Sequence, residues 1–154
     1  GHSVFMDSDM LCLSDPMELM MDMVSYPNKA VFCCQHDYVP KTEKKFLGQL
    51  QTSYPRKNWS SMMIFNNELC KNLTPDYVNS ATGLQLHRFQ WIEDNLIQPL
   101  PLTWNWLVGE YEPNPKAKLL HYTLGTPCFA EYSACDQSAE WWAEYRSMTS
   151  PVVI

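Results

Sequence analysis

No stretch of this 154-residue chain approaches the ~20 consecutive apolar residues that a membrane-spanning helix needs, so a transmembrane segment is excluded. Positive charge is also scarce. Eleven Lys and Arg stand against 17 Asp and Glu, giving a formal net charge of −6. Such a chain lacks the basic surface that nucleic-acid binding requires. None of the six cysteines (Cys12, Cys33, Cys34, Cys70, Cys128, Cys135) has C-x-x-C spacing, which argues against a zinc site or a disulfide framework. Internal repeats and low-complexity runs are absent, and no signal peptide opens the chain. The resulting expectation is a soluble, cytoplasmic protein with no transmembrane segment, unless an N-terminus outside this sequence carries a targeting signal.

What is present is the composition of a folded domain. Hydrophobic residues make up 45% and charged residues 18%, which places residues 1–154 in one globular unit large enough to bury a core. The 13% aromatic content is high. It fits an aromatic core, and it also fits stacking platforms for sugar rings. The nine methionines read as flexible core filler.

Chemistry concentrates near the start. Val4-Phe5-Met6 is a continuous apolar run, the pattern of a strand buried on both faces. It leads into Asp7-Ser8-Asp9. If the pleat continues, its period of two turns both carboxylates the same way. Two converging carboxylates form a hard-cation site, whereas an Asp pair after a strand can also be only a turn and a helix cap. Asp15-Pro16-Met17-Glu18 separates these roles, because it already supplies a cap, a proline at the first helical position and a capping-box glutamate. Asp7 and Asp9 are thereby left for another task.

Further along, Met17 to Val24 reads as a short helix ended by Tyr26-Pro27-Asn28, and Ala30 to Cys34 as a second buried strand. Gln35 to Lys57 has little periodicity. A connection of that length reads as a functional loop over a site. Trp59 to Asn66 is the next strand. Thr74-Pro75-Asp76 starts a helix with Gly83 as its stop, and Leu84, Leu86, Phe89 and Ile92 suggest an amphipathic turn or two. Lys118 to His121 reads as a strand ending in a histidine, either a metal ligand or a hydrogen-bonded structural residue. Gly125 lets a backbone approach a ligand, or simply makes a turn before Pro127. Residues 136–146 form a capped packing helix with Trp141 and Tyr145 at i, i+4.

Several of these segments carry a resemblance. The apolar strand, D-x-D triplet and following helix resemble the D-x-D region of A-type glycosyltransferases, which bind a nucleotide-sugar diphosphate through a divalent metal. Trp59 to Asn66 resembles the F-N-S-G-V-M-L-F-N segment of family 8-like enzymes. Ser60, Met62 to Phe65 and Asn66 agree, while Trp59 and Ser61 stand where the family has Asn and Gly. Leu100-Pro101-Leu102-Thr103-Trp104-Asn105 resembles the family's L-P-x-x-[WY]-N segment. His121-Tyr122-Thr123-Leu124-Gly125 resembles its H-[FY]-x-G segment, with the glycine one residue later. The acidic D-Q-D-x-L-N element is not retained; Leu86 to Trp91 lies in its place.

The resemblance spans most of Ser3 to Phe129 and implies an α/β fold of the nucleotide-diphospho-sugar transferase type, a mixed sheet flanked by helices. The chain would be the C-terminal portion of the catalytic domain, from the D-x-D strand onward, without the N-terminal nucleotide-binding part. It further implies Asp7, Asp9 and His121 as metal ligands, with Asp7, Asp9 and Gly125 at the cofactor. Mn²⁺ is favoured over Mg²⁺ because an imidazole joins the oxygen ligands. The implied donor is a UDP-sugar, the acceptor a carbohydrate or other hydroxyl compound, and the outcome retention at the anomeric carbon. Asp37, Gln90 and Glu93 are the candidate catalytic groups, and Lys41, Lys44 or Arg56 candidate phosphate contacts. Two rivals remain. One is a catalytically silent domain that binds carbohydrate or nucleotide-sugar. The other is a haloacid-dehalogenase-type phosphatase, against which Leu11 stands where Thr or Val is normal and no later Asp-Asp pair occurs.

Overall fold

A computed structural model of the chain describes residues 1–150, in which seven strands and four short α-helices form a mixed α/β fold with two separate mixed sheets. The first sheet has the order β1 (His2–Met6), β4 (Met62–Asn66), β3 (Val31–Cys34), β5 (Ile97–Leu100). β1 and β3 run antiparallel to β4, and β5 runs parallel to β3. In the second sheet, β7 (Leu119–His121) lies between β2 (Met10–Cys12), antiparallel, and β6 (Trp106–Leu107), parallel.

β3 explains its own sequence. Phe32 and Cys34 join one core cluster with Met62, Ile64, Leu100 and Trp104, while Val31 and Cys33 join another with Phe89, Trp91 and Ile97. Both faces are covered, so alternation gives way to an unbroken apolar run. Burying Phe32 completely stabilises the fold by about 2–3 kcal/mol. Aromatic residues fill much of the second cluster, where the Phe65 and Phe89 ring centroids lie 6.3 and 6.1 Å from that of Trp91.

Four expectations are corrected here. β1 is an edge strand paired only with β4, and Val4, Phe5 and Met6 are exposed rather than buried on both faces. An apolar run alone cannot distinguish a central strand from an uncovered edge. Asp7-Ser8-Asp9 does not continue the pleat. It is the turn by which the chain leaves the first sheet and enters the second. Asp15 caps its helix by accepting from the Met17 N–H (2.9 Å), but Glu18 pairs with Lys118 instead of closing a capping box. This first helical segment is a 3-10 turn, Pro16–Leu19, running into α1 (Met20–Ser25).

Gly83 is the other correction. It begins a helix rather than stopping one: α2 (Pro75–Ser80) ends before it, and Thr82 with Gln85 forms a capping box for α3 (Gly83–His87). The closing helix, α4 (Ser138–Thr149), stacks Trp141 on Tyr145 at 5.3 Å. Among the described residues no helix is long and apolar enough to cross a membrane.

Candidate metal centre

The turn between the two sheets is held at both ends. The Asp7 N–H donates to the Ser61 carbonyl (2.8 Å) at the foot of β4, and the Asp9 carbonyl accepts from the Tyr122 N–H (3.0 Å) just beyond β7. One end is thus tied to each sheet, and the carboxylates project where the sheets meet. His121, the last residue of β7, is buried at the same place. One ligand atom from each of Asp7, Asp9 and His121 lies within 4.8 Å of the others.

The histidine is oriented from behind. Its Nδ1 lies 2.9 Å from Asn105 Oδ1, and the Asn105 amide nitrogen donates to Ser61 Oγ (2.8 Å) and to the Asn58 carbonyl (3.3 Å). Ser61 Oγ in turn donates to the Asn58 carbonyl (2.7 Å). Two acceptors fix the NH₂ end of the amide, so Oδ1 must face the ring and Nδ1 must carry a proton. In the neutral imidazole, Nε2 is then a free lone pair. It points at Asp9 Oδ1, 3.4 Å away, which has no hydrogen-bond partner of good geometry. Two acceptors facing each other in a buried corner need a proton or a cation between them, and the O, O, N donor set suits Mn²⁺.

The two carboxylates are tuned differently. Burial raises the Asp7 pKa above the usual carboxylate range, outweighing the opposing charge of His121. Burial also pushes on Asp9, but when the facing His121 ring is protonated its charge prevails and holds Asp9 below that range. A cleft of about 480 Å³ opens beside them, lined by Asp7, Ser8, Asp9, Phe46, Gly125 and Phe129. The long loop reaches this cleft as expected. The Phe46 N–H donates to the Leu124 carbonyl (2.8 Å), and its ring stacks on Phe129 at 5.1 Å.

Gly125 lines the cleft, and its lack of a side chain has a packing cause. A Cβ there would meet the Tyr132 ring at 2.5 Å and Phe46 Cβ at 3.1 Å. The candidate catalytic groups are not brought to the Asp–Asp–His corner. Asp37 is exposed near Tyr111, Gln90 lines a different cleft with Arg56 and Arg88, and Glu93 precedes an exposed 3-10 turn. Of the candidate phosphate contacts, Lys41 pairs with Glu112 and Arg56 with Asp94, leaving Lys44 exposed.

The residues that sequence reasoning overlooked are Asn105, Ser61 and His87. Asn105 and Ser61 sit inside motifs that were noticed, and their polarity amid apolar neighbours was the available signal. His87 Nδ1 lies 2.7 Å from Ser60 Oγ, and its charge bears on Asp7. No local sequence feature links it to the acidic turn.

Compared with known proteins, the chain is similar to Protein CDI of Arabidopsis thaliana, with 44% identity over 151 residues covering 94% of this chain and 58% of that protein. No protein-family model matches the chain, and no solved structure matches it. The chain therefore spans a little over half the length of the curated relative that it matches.

Proposed function

We propose that the chain is the metal- and diphosphate-binding part of a glycosyltransferase of the A-type fold, moving a sugar from a nucleotide-diphosphate donor, such as a UDP-sugar, to a hydroxyl acceptor. The observation that carries this reading is the meeting of Asp7, Asp9 and His121 at the seam of two sheets, with Asn105 presetting the imidazole. Three segments that resemble family 8-like enzymes supply this corner: the D-x-D turn, the Leu100–Asn105 segment and the His121 strand.

In this reading Asp7, Asp9 and His121 hold Mn²⁺, and a bound divalent cation supplies Lewis-acid stabilisation to the leaving diphosphate. The chain's own residues do the rest. Asn105 and Ser61 keep the His121 lone pair aimed outward, and burial of His121 prevents the ring from turning away. Phe46 and Phe129 wall the cleft beside the carboxylates and exclude water from that side.

A second reading is a nucleotide-sugar-binding domain without catalysis. It is favoured by the distance in the fold between the corner and Asp37, Gln90 and Glu93, none of which lines the cleft. Calorimetry of UDP binding with and without Mn²⁺ tests the shared premise, using the chain and an Asp7→Ala, Asp9→Ala variant. Binding that requires Mn²⁺ and disappears in the variant supports the site; binding indifferent to both removes it. Mn²⁺-dependent hydrolysis of a UDP-sugar then separates the enzyme from the silent binder.

A further inference from the structure

Within the long loop, residues 43–51 form a small hairpin. Lys44 bridges Leu50 in antiparallel fashion, the Lys45 N–H donates to the Gln49 carbonyl (2.7 Å), and the Gln51 N–H donates to the Glu43 carbonyl (2.8 Å). Its tip, Phe46-Leu47-Gly48, places both Leu47 (φ 56°) and Gly48 (φ 70°) in the left-handed region. The hairpin is fastened to the metal corner by the Phe46–Leu124 backbone bond and the Phe46–Phe129 stack.

Alternation along a strand sends neighbouring side chains to opposite sides. Lys44 accordingly faces solvent, while Lys45 is half-buried and turns inward. The Lys45 ammonium lies 3.4 Å from Thr123 Oγ1, two residues beyond His121, and its charge bears on both Asp7 and Asp9. It forms no ion pair with a carboxylate among the described residues. Its three donors therefore have one long, neutral contact, next in the chain to Phe46, which lines the cleft together with Asp7 and Asp9.

An ammonium at that place is redundant for a dication and even unfavourable, since like charges repel. It becomes useful once the cation brings a polyanion with it. We infer that Lys45 is a ligand of the diphosphate, holding phosphate oxygens from the hairpin side while the cation holds them from the Asp7–Asp9–His121 side. This rests on the metal-site reading above and adds to it a specific cation, carried by the loop rather than by either sheet.

The opposing signs make the test decisive. Mn²⁺ alone, and then inorganic pyrophosphate and UDP at saturating Mn²⁺, would be titrated by calorimetry into the full chain and its Lys45→Met, Lys45→Arg and Lys44→Met variants. Lys45→Met is expected to bind Mn²⁺ as tightly as the parent or several-fold more tightly, and pyrophosphate and UDP about tenfold more weakly. Lys45→Arg should recover most of that loss, and Lys44→Met should leave all three titrations unchanged. Undiminished pyrophosphate binding in Lys45→Met overturns the inference while leaving the metal site standing. So does an equal loss in Lys44→Met, which would make the effect one of net charge, or a parallel loss of Mn²⁺, which would make Lys45 structural. Failure of the parent chain to bind Mn²⁺ at all would instead overturn the metal-site reading itself.

Discussion

His121 Nδ1 and Asn105 Oδ1 meet at 2.9 Å with both side chains buried, and this contact determines which imidazole nitrogen faces the acidic turn. Removing the amide should free the ring and leave Ser61 Oγ without its donor, while the Asn58 carbonyl keeps the Ser61 hydroxyl. Asn105→Leu is expected to weaken Mn²⁺ binding about 10- to 100-fold, the usual effect of losing such a partner. It should also lower stability by about 1–3 kcal/mol. Calorimetry and denaturant unfolding on one preparation check both parts. Ser61→Ala removes the two bonds of one hydroxyl but leaves the Asn105 contacts with Asn58 and His121, and should show a smaller loss in each.

Gly125 and Tyr132 give a packing prediction. The ring lies where a Cβ would stand, at 2.5 Å, so Gly125→Ala forces a shift in a region that also touches Phe46. The expected cost is about 1–3 kcal/mol, the range for overpacking a filled site. Tyr132→Ala in the same chain should recover a large part of it. A double-mutant cycle by urea unfolding reads the coupling, and strictly additive effects would contradict the contact.

His36 predicts a pH dependence. It is 5% exposed, its Nδ1 lies 2.9 Å from the Tyr111 hydroxyl, and its Nε2 has no partner. Burial, reinforced by the charge of His121, lowers its pKa from 6.5 to about 3. In the unfolded chain the ring takes a proton near pH 6.5; in the folded chain it does not until about pH 3. The unfolded state therefore binds more protons between those values, and stability present above pH 6.5 is lost as the pH falls. The slope approaches about 1.4 kcal/mol per pH unit at its steepest. Denaturation midpoints at pH 7 and pH 5 should differ, and His36→Phe should narrow the gap.

The edge position of β1 is tested by a pair of matched substitutions. Val4 is 60% exposed and Val31 fully buried. Val4→Thr should change stability by less than about 0.5 kcal/mol. Val31→Thr buries a hydroxyl among Phe89, Trp91 and Ile97 and should cost about 1–3 kcal/mol. Equal costs would mean that β1 is covered in solution.

Local signals proved sufficient where the physics is local. Asp15 and Thr74 cap their helices because a side chain reaches a backbone N–H two or three residues away, which a short sequence window contains. The Ala30–Cys34 run was legible as a buried strand because double-sided burial favours an unbroken apolar stretch. The same reasoning misplaced Val4–Met6, since apolar character does not reveal whether a second strand or another layer is present.

The candidate site divides along the same line. Sequence singled out Asp7, Asp9 and His121 by residue type and resemblance, and the fold brings them together. How it does so was not legible, because the convergence comes from a turn between two sheets rather than from the pleat. Tertiary structure alone made Asn105 and Ser61 the supports of His121, and made Lys45, rather than Lys41, Lys44 or Arg56, the loop cation whose charge bears on both carboxylates. Those relations join residues 16 to 78 positions apart, and no local propensity encodes a contact across that separation. They are decided by which faces two sheets must bury, and that is a property of the whole chain.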